Sequence, residues 1–521
     1  MFRIPTTLFL LSIHLIQYCA AQQVSCTDLI SQAGDSSSLA ITNATQVGPQ
    51  TLSFALLGPS TNEVPLCRVQ GIVRYALNKS EGIELWLPPP SLWNGRYLVV
   101  GTAVFGGIID YGTMLQQVNA GYAVAGGDSG HLLSTNGNGL SMPGQSIPFL
   151  QDPDETTEWI HNSVASMTPP TRALTEIFYG KRPSYSYYSG CSTGGAQGFA
   201  LAQYHPELFD GIFAGSPGNW YSHLILSFLW NYLNAQRAFL DQDTLNLITN
   251  ATLKKCDDLD GLMDGVIGDP LNCHFNISEI ECTAGQARNN SHGIQCVTSA
   301  EVATYQAIRA GPREAGTGRE VYPGFDFGSE SSWLPQEAEL ALNVTVPILQ
   351  NLVFKNLSYD YTSFNFTSAE LKAIDSKASP LIDSVSPDLR AYKNRGKLIV
   401  TQGWADATNA ATWPMQQFEQ TNAFLSSNSI AAGNASDFYR LFMIPGYGHC
   451  GPAAAYPQVP GTVATLAALV SWVEKGIAPV EIQSTGPADG TNRTRKLCAW
   501  PLTARYVGKD PDDWESFQCV E

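Results

Sequence analysis

The sequence is poor in charged residues, and poorest in positive ones. Of its 521 residues, 14% are charged. The sequence has 29 Lys and Arg but 46 Asp and Glu, which gives a formal net charge of −17. Nucleic acids and anionic membrane surfaces attract basic proteins, so neither is an expected partner. Beyond the first residues, no segment is long and apolar enough to span a bilayer. Neutral or small molecules remain as the expected partners of a monomer or homodimer.

The N-terminus holds the one sustained apolar run. Residues 8–16 are mostly apolar, follow Arg3 and lead to Ala20 and Ala21, which is typical of a secretory signal cleaved near Ala21. The sequence therefore predicts a signal peptide at residues 1–21 and a secreted, extracellular protein. Asn-x-Ser/Thr sequons favour a glycoprotein. They begin at Asn43, Asn78, Asn250, Asn276, Asn289, Asn343, Asn356, Asn365, Asn434 and Asn492.

The cysteines agree with an oxidising compartment. Cleavage of the leader removes Cys19 from the 11 cysteines and leaves an even number, enough for five disulfides. Proximity in the sequence predicts a pair between Cys26 and Cys67, and Cys498 with Cys519 could fix the C-terminal tail.

A short motif near residue 190 carries the candidate nucleophile. Residues 190–194, Gly-Cys-Ser-Thr-Gly, fit G-x-S-x-G, in which small neighbours let the chain turn tightly and lift the serine hydroxyl out of the backbone. An alternating aromatic run precedes the motif, and residues 195–204 are typical of a helix, whose N-terminal dipole favours an oxyanion nearby. The pattern predicts strand, sharp turn and helix around Ser192.

A base and an acid for this serine are found in a fixed order. Histidines are few, eight in all, and His449 follows an apolar strand, whereas His131 is more simply explained as a hydrogen-bonded structural residue. Asp406 also follows an apolar strand, although it could instead cap a helix. The order Ser192, Asp406, His449 is that of α/β-hydrolases, so these three residues are the predicted catalytic triad.

Strands alternate with helices on both sides of an interruption. The alternation predicts a doubly wound, mostly parallel α/β sheet formed by residues 22–219 and 384–521. Residues 220–383 contain helical patterns, cysteines and sequons without this alternation. We interpret them as an inserted lid domain.

Cysteines adjoin both the nucleophile and the base. Cys191 precedes Ser192 and Cys450 follows His449. A disulfide needs Cα atoms only about 5.5 Å apart, so a Cys191–Cys450 bond would bring the serine and the histidine together.

These residues resemble the Cys-Ser, Asp and His-Cys signature of the tannase and feruloyl esterase family. The similarity covers nearly the whole mature chain and includes residues 190–195, 209–215, 403–406 and 446–451. The resemblance implies a secreted serine esterase with an α/β-hydrolase fold, a lid inserted after the strand that follows the nucleophile, and a disulfide beside the triad.

The lid contains an acidic segment, residues 256–266, with four aspartates around glycines. Such a segment suits a hard cation with oxygen ligands, although an acidic solvated turn is the alternative. The resemblance implies structural calcium. Its ligands would be the side chains of Asp257, Asp260 and Asp264 and the carbonyls of Leu262 and Val266. The expected local disulfides of this region are Cys256–Cys273 and Cys282–Cys296.

The loop after the first core strand departs from the family. Where the family has a glycine-rich run of the Gly-Asn-Gly-Gly type, this chain has Gly-Thr-Ala-Val at residues 101–104. The expected oxyanion donors are the N–H groups of Thr193 and Ala103. If the loop needs positive φ angles, Ala103 and Val104 would resist them, and activity could be weakened or redirected to other esters.

The resemblance implies hydrolysis of phenolic esters through an acyl-enzyme. Feruloyl esterase activity on plant cell-wall esters is favoured over tannase activity on gallate esters, because the lid lacks an obvious dibasic processing site. The alternative of another class is a non-catalytic, calcium-stabilised glycoprotein that binds phenolics or wall sugars. Four lid aromatics could stack on a phenolic ring or form the lid's own core. They are Tyr322, Phe325, Phe327 and Trp333.

Overall fold

The described part of the protein covers nearly all of the predicted mature chain. A computed structural model describes residues 24–32, 38–54, 58–136, 141–290, 293–427 and 433–521. The predicted signal peptide, residues 1–21, lies outside these ranges. Within them, no helix has the length and apolar character needed to cross a bilayer.

Strands and helices are numbered along the chain. In the described residues, strands β1 to β18 are Leu39–Val47, Gln50–Phe54, Gly58–Asn62, Leu66–Ala76, Lys79–Leu87, Arg96–Val100, Ala123–Gly127, Tyr185–Cys191, Gly211–Gly215, Asn289–Asn290, Gly293–Ile294, Lys397–Gly403, Tyr439–Ile444, Pro460–Val463, Glu481–Pro487, Arg495–Cys498, Thr503–Tyr506 and Phe517–Val520. Helices α1 to α16 are Leu29–Gln32, Tyr111–Asn119, Pro148–Gln151, Pro153–Thr157, Ser163–Tyr179, Thr193–Tyr204, Tyr221–Ala235, Gln242–Cys256, Ser299–Ala310, Leu334–Glu337, Val346–Ile348, Ser368–Lys377, Ser379–Ile382, Arg390–Lys393, Thr412–Ser427 and Thr465–Lys475.

One nine-stranded sheet organises the molecule, in the order β1-β4-β5-β7-β6-β8-β9-β12-β13. The strands from β7 to β13 in that order run parallel, and β1, β4 and β5 extend the sheet antiparallel. The predicted α/β-hydrolase fold with a mostly parallel sheet is confirmed. The ends of β8, β12 and β13 meet at one edge of the sheet, because parallel strands share their carboxyl edge.

Helices cover both faces of the parallel strands, which explains why most of those strands are apolar on both sides. On one face the core includes Val164 and Leu174 of α5 and Phe199 of α6. On the other face it includes Met114 of α2 and Leu469 of α16. The helices thereby fix the sheet edge from which the candidate site is built.

Between β9 and β12, most of the regular secondary structure is helical. This segment contains α7 to α14, and its only described strands are the short pair β10 and β11. Of the lid aromatics, Tyr322, Phe325 and Trp333 are buried to 1% exposure or less. Phe325, Phe327 and Trp333 pack in one core cluster of the helical segment, and Tyr322 packs in a second cluster that includes Trp413 of α15. All four side chains therefore serve as core residues. The limits of the lid, residues 220–383, stay a prediction.

Five disulfides join the same pairs that the sequence predicts. They are Cys26–Cys67, Cys191–Cys450, Cys256–Cys273, Cys282–Cys296 and Cys498–Cys519.

Three carboxyl groups lie together in the interior behind the sheet edge. Glu81 accepts a hydrogen bond from the Ser129 backbone (3.3 Å), and Asp128 accepts two from Gly82 and Gly130 (both 3.0 Å). Burial, and then repulsion from Glu158 and Asp128, raises the pKa of Glu81 well above its usual range. Burial likewise raises the pKa values of Asp128 and Glu158 to about 7. The cluster is therefore protonated under acidic conditions.

We predict that this cluster stabilises the fold more in acid than at neutral pH. Because the folded pKa values exceed the unfolded ones, the folded state binds more protons, so the contribution of the cluster to stability is full below about pH 4 and is lost as pH rises through 7. Each unit of raised pKa corresponds to about 1.4 kcal/mol. Glu81→Gln should therefore reduce the fall in melting temperature between pH 5 and pH 8.

The matched control is Glu339→Gln, which removes one exposed charge of the same kind. It should follow the wild-type curve. Identical pH profiles for the wild type and Glu81→Gln would refute the role of the cluster.

Candidate active site

Ser192 sits on a strained turn between β8 and α6. Its backbone angles are φ 63° and ψ −119°, in the left-handed region that L residues rarely adopt. Its N–H donates to the Gly215 carbonyl (2.9 Å), and its carbonyl accepts from the Gly218 N–H (3.2 Å). The turn is thus held by the loop after β9.

Close contacts require glycine at Gly190, the first residue of the motif, and at Gly195, the residue after it. A Cβ at Gly190 would lie 2.5 Å from the Tyr188 hydroxyl and 2.6 Å from the Gly194 carbonyl. A Cβ at Gly195 would lie 2.5 Å from the Gly215 carbonyl. Such distances are too short for a Cβ atom, so sterics require glycine at these two positions.

The structure brings the three predicted catalytic residues together. His449 Nε2 lies 2.7 Å from Ser192 Oγ, and His449 Nδ1 lies 3.0 and 3.2 Å from the two carboxylate oxygens of Asp406. An ionised carboxylate only accepts hydrogen bonds, so Nδ1 carries the proton and Nε2 is free to accept one from the serine.

Asp406 is held ionised in a fully buried position. Burial acts to raise its pKa, but the charge and hydrogen bond of His449, together with the Asn409 and Thr408 amides, hold the pKa below its usual value. The amide contacts measure 2.9 and 2.8 Å, and Gln402 donates to the other oxygen at 2.9 Å. The carboxylate therefore makes cap-like contacts to the following backbone and also holds the histidine.

The disulfide Cys191–Cys450 ties the two loops together beside the site, with Cα atoms 6.0 Å apart. Cys450 has a left-handed φ of 62°, and its N–H donates to Ser216 Oγ (3.4 Å). The Ser216 carbonyl in turn accepts from the side chain of Asn409 (2.5 Å). The loops after β9, β12 and β13 are thus connected to one another.

The expected oxyanion donors border the same opening. Thr193 is the first residue of α6, so its N–H has no acceptor within the helix. Ala103 and Val104 line the cavity at Ser192, and the Thr193 hydroxyl donates to the Val104 carbonyl (2.8 Å). Val104 adopts the positive φ, 47°, that its branched side chain resists. The oxyanion roles stay a prediction.

Gln197 is a site residue that the sequence motifs do not reveal. Its side chain is buried in α6, accepts from the Thr102 N–H (3.1 Å) and the Tyr188 hydroxyl (3.2 Å), and donates to the Trp159 carbonyl (2.9 Å) and Ser163 Oγ (3.1 Å). It joins the loop that follows β6 to the helix behind the nucleophile. A glutamine one helical turn past G-x-S-x-G is the only sequence signal for it.

His131 has a structural role. Its Nε2 lies 2.5 Å from the Phe105 carbonyl, and its ring stacks on Phe149. Burial lowers the pKa of His131 to about 4, so it is neutral at physiological pH.

A cavity of about 880 Å³ opens over Ser192 and His449. The helical segment contributes an apolar wall: Tyr221, Leu224, Phe228, Leu340 and Val344. Helix α2 and the start of α16 contribute a more polar wall: Asp110, Thr113, Gln116, Gln117 and Thr465. The cavity is large enough for an ester with substantial groups on both sides of the bond.

In the acidic loop, an aspartate side chain binds backbone amides of the same loop. Asp257 accepts from the amides of Asp264, Gly265 and Val266 at 3.0–3.2 Å. Burial, and then repulsion by Asp264 and Asp257, raises the pKa of Asp260 to about 7. This mutual repulsion suits a hard cation.

Two arginine side chains contact the same loop. Asp264 accepts from Arg495 (2.5 Å), and Arg493 lies 3.6 Å from the same oxygen. No set of three or more His, Cys, Asp or Glu side chains within the described ranges is arranged to hold a metal. The oxygen donors of the loop suit calcium, which stays a prediction.

A parallel sheet with a serine on a strand-to-helix turn, and a histidine and aspartate on loops after later strands, defines the class of the α/β-hydrolases. Comparison with known sequences gives the family. The profile described as "Tannase and feruloyl esterase" matches residues 67–520. The chain belongs to this family, and it is a carboxylic ester hydrolase.

The similarity to individual relatives extends over nearly the full length of both chains. An uncharacterised esterase of Xanthomonas campestris pv. campestris is 31% identical, covering 96% of this chain and 92% of its own. A probable feruloyl esterase B-1 of Aspergillus terreus is 29% identical over 90% of both chains. The crystal structure of feruloyl esterase B from Aspergillus oryzae superposes with a TM-score of 0.83 at 26% identity, covering 95% of this chain and 100% of the other.

Removal of the Cys191–Cys450 bond should affect catalysis beyond its effect on stability. The double substitution Cys191→Ala/Cys450→Ala should cost about 2–5 kcal/mol of stability. Because it also frees the His449 loop, kcat/KM on a p-nitrophenyl ester should fall at least about tenfold at a temperature where the variant is folded.

The control is Cys282→Ala/Cys296→Ala, which removes a lid disulfide. Its kcat/KM should stay within about twofold of the wild type. Equal losses in both variants would contradict a positioning role for Cys191–Cys450.

Calcium should relieve the repulsion among the loop aspartates. We expect a chelator to lower the melting temperature by at least about 3 °C and added calcium to restore it. Asp260→Asn should abolish this response, whereas Asp258→Asn, at an exposed position outside the expected ligand set, should keep it. A melting temperature insensitive to the chelator would count against calcium.

Proposed function

We propose that this protein is a secreted serine esterase that releases hydroxycinnamic acids, such as ferulic acid, from plant cell-wall esters. The observation that carries the proposal is the contact of 2.7 Å between His449 Nε2 and Ser192 Oγ, with Asp406 behind the histidine and an 880 Å³ cavity in front. A neutral serine is a poor nucleophile, and this arrangement supplies the base that it needs.

In the first step, Ser192 Oγ attacks the ester carbonyl carbon while His449 Nε2 accepts the hydroxyl proton. The buried carboxylate of Asp406 stabilises the imidazolium that forms. The N–H groups of Thr193 and Ala103 are the proposed donors to the oxyanion. The tetrahedral intermediate then collapses, and His449 returns the proton to the leaving alcohol.

In the second step, water replaces the alcohol. His449 takes a proton from this water as it attacks the acyl-enzyme, and the second tetrahedral intermediate expels Ser192 Oγ, which recovers its proton from His449. The products are the free carboxylic acid and the original enzyme.

The apolar wall of the cavity supports a hydroxycinnamate over a gallate. Leu224, Phe228, Leu340 and Val344 offer no hydrogen-bonding side chain, and Tyr221 is the one member of this wall with a hydroxyl, so the wall suits the propenoate and methoxy groups of ferulate. The three hydroxyls of gallate would find too few new partners there, at about 1–3 kcal/mol for each unsatisfied group. The relatives named as feruloyl esterases point to the same acid.

Three further features complete the proposal. The helical segment 220–383 acts as a lid over the acyl group, because its residues form the apolar wall. A calcium ion at residues 257–266 stabilises that lid. The five disulfides fit a protein that leaves the cell after removal of residues 1–21.

The test compares hydrolysis of methyl ferulate, methyl gallate and a short p-nitrophenyl ester. Wild-type protein should prefer methyl ferulate to methyl gallate by at least about tenfold. Ser192→Ala should lose at least about 1,000-fold in kcat on all three esters, because the nucleophile is missing.

The control is Ser376→Ala, at an exposed serine of α12, which should behave as wild type. A preference for gallate would transfer the assignment to tannase. Absence of any Ser192-dependent turnover, and of fluorophosphonate labelling, would overturn the esterase mechanism in favour of a binding protein.

A further inference from the structure

The loop that follows β6 carries one of the two proposed oxyanion donors. This loop, which we call the β6 loop, comprises residues 101–107, and its Ala103 and Val104 line the cavity at Ser192. Within the described ranges, no residue accepts a hydrogen bond from the Ala103 N–H. The N–H groups of Ala103 and Thr193 form the proposed oxyanion site, so the position of the β6 loop decides whether that site is complete.

The backbone of the β6 loop is strained. Val104 has a φ of 47°, and such a conformation costs about 1–3 kcal/mol in a residue other than glycine. Val104 is also 38% exposed, so the packing of its own side chain contributes little to this conformation. Contacts from outside the loop must therefore hold it.

Two side chains of α6 hydrogen-bond the loop on either side of Ala103. Gln197 Oε1 accepts from the Thr102 N–H (3.1 Å). The Thr193 hydroxyl donates to the Val104 carbonyl (2.8 Å). Thr193 and Gln197 are both buried and lie four positions apart, so they share one face of α6. The helix that begins directly after the nucleophile therefore holds the segment that carries the oxyanion donor.

The side chain of Gln197 is itself fixed by further hydrogen bonds. Its Nε2 donates to the Trp159 carbonyl (2.9 Å) and to Ser163 Oγ (3.1 Å). Its Oε1 also accepts from the Tyr188 hydroxyl (3.2 Å). A flip of the amide would turn its donor toward the Thr102 N–H and its acceptor toward the Trp159 carbonyl, and both bonds would be lost. Gln197 Oε1 therefore has one position available, and that position sets the Thr102 N–H.

The rest of the β6 loop is held by the loop after β7. The Gly107 N–H donates to the Asp128 carbonyl (2.8 Å), and the Asn136 side chain donates to the Gly106 carbonyl (3.0 Å). These bonds fix residues 106 and 107. The bonds from α6 instead fix residues 102 and 104, on the two sides of the oxyanion donor.

We propose that the Thr193 hydroxyl and the Gln197 amide are positioning groups that keep the Ala103 N–H directed at the oxyanion. The proposal rests on the proposed Ser192 mechanism. Both side chains act through the backbone of the β6 loop, because without them Val104 can relax to a negative φ and displace the Ala103 N–H. Their effect is on the transition state, since the negative charge on the ester oxygen develops only there.

The first test uses variants of Thr193 that keep its backbone N–H, with p-nitrophenyl acetate as the substrate. Thr193→Val replaces the hydroxyl by a methyl group, and kcat should fall about ten- to a hundredfold while KM stays within about twofold. Thr193→Ser keeps a hydroxyl and should retain kcat within about threefold. Equal losses in the two variants, or a loss confined to KM, would overturn the role of the hydroxyl.

The matched control is Thr252→Val in α8. Thr252 is buried outside the cavity, and its hydroxyl donates to the Ile248 carbonyl (2.9 Å), so this substitution removes the same kind of bond. It should lower the melting temperature and leave kcat unchanged. A fall in kcat as large as that of Thr193→Val would show that both variants act through stability alone.

Gln197→Met tests the second positioning group at similar side-chain length. Its kcat should fall at least about tenfold at a temperature where circular dichroism shows the variant folded. In Thr193→Val/Gln197→Met, kcat should fall by less than the product of the two single losses, because both side chains hold one loop. A double loss equal to that product would show that the two residues act independently and would overturn their shared role.

A binding measurement reports on the oxyanion site without turnover. Phenylboronic acid accepts an electron pair from Ser192 Oγ at boron while the serine proton passes to His449, and one oxygen of the tetrahedral adduct occupies the oxyanion site. Thr193→Val should bind phenylboronic acid at least about tenfold more weakly than the wild type. In the Ser192→Ala background, Thr193→Val should change the affinity for intact methyl ferulate by less than about twofold.

The outcomes separate this proposal from the proposed function. Turnover of p-nitrophenyl acetate that survives Ser192→Ala would overturn the Ser192 mechanism. Turnover that requires Ser192, with equal kcat and equal affinity for phenylboronic acid in the wild type and Thr193→Val, would overturn the positioning role alone.

Discussion

The contact between Ser192 Oγ and His449 Nε2 joins two loops that are 257 residues apart in sequence. A single hydrogen bond contributes only about 1 kcal/mol net, so it cannot hold these loops in place. The parallel sheet does so, because the carboxyl ends of β8, β12 and β13 meet at one edge. The Cys191–Cys450 bond removes the remaining freedom of the two loops, and the buried Asp406 fixes the imidazole ring.

Backbone strain is concentrated around this contact. Ser192, Val104, Ser216 and Cys450 all have positive φ angles, between 36° and 63°, without being glycine. Such conformations cost about 1–3 kcal/mol each and persist only where the surroundings dictate them. The hydrogen bonds from Thr193 to Val104 and from Cys450 to Ser216 are part of those surroundings. Packing and hydrogen bonds around the site therefore offset the cost of its strained backbone.

The cavity at this edge of the sheet has two walls of different polarity. Lid residues such as Leu224 and Phe228 give one apolar wall, and residues of α2 such as Gln117 give a polar one. Ser192 lies where the two walls meet.

The family and the predicted triad could be taken from the sequence because tight turns and acyl transfer allow few residue types. Sterics fix the glycines at positions 190 and 195, and acyl transfer needs a serine, an aspartate and a histidine. The cysteines beside Ser192 and His449 indicate that these two segments meet in the fold. The alternation of strands and helices predicted the mostly parallel sheet, and the positions of the cysteines predicted the five disulfides.

Other features depend on contacts between distant segments, which no short pattern encodes. The bond of Gln197 to Thr102 spans 95 residues, and the pairing of Asp264 with Arg495 spans 231. In the sequence, nothing distinguishes Glu81 and Glu158 from surface carboxylates. Likewise, nothing in the sequence shows that Gln116 and Gln117 line the cavity. The sequence by itself determined the chemistry that the chain can perform. Only the tertiary structure decided which side chains surround that chemistry, because burial and proximity arise when the sheet and the lid pack together.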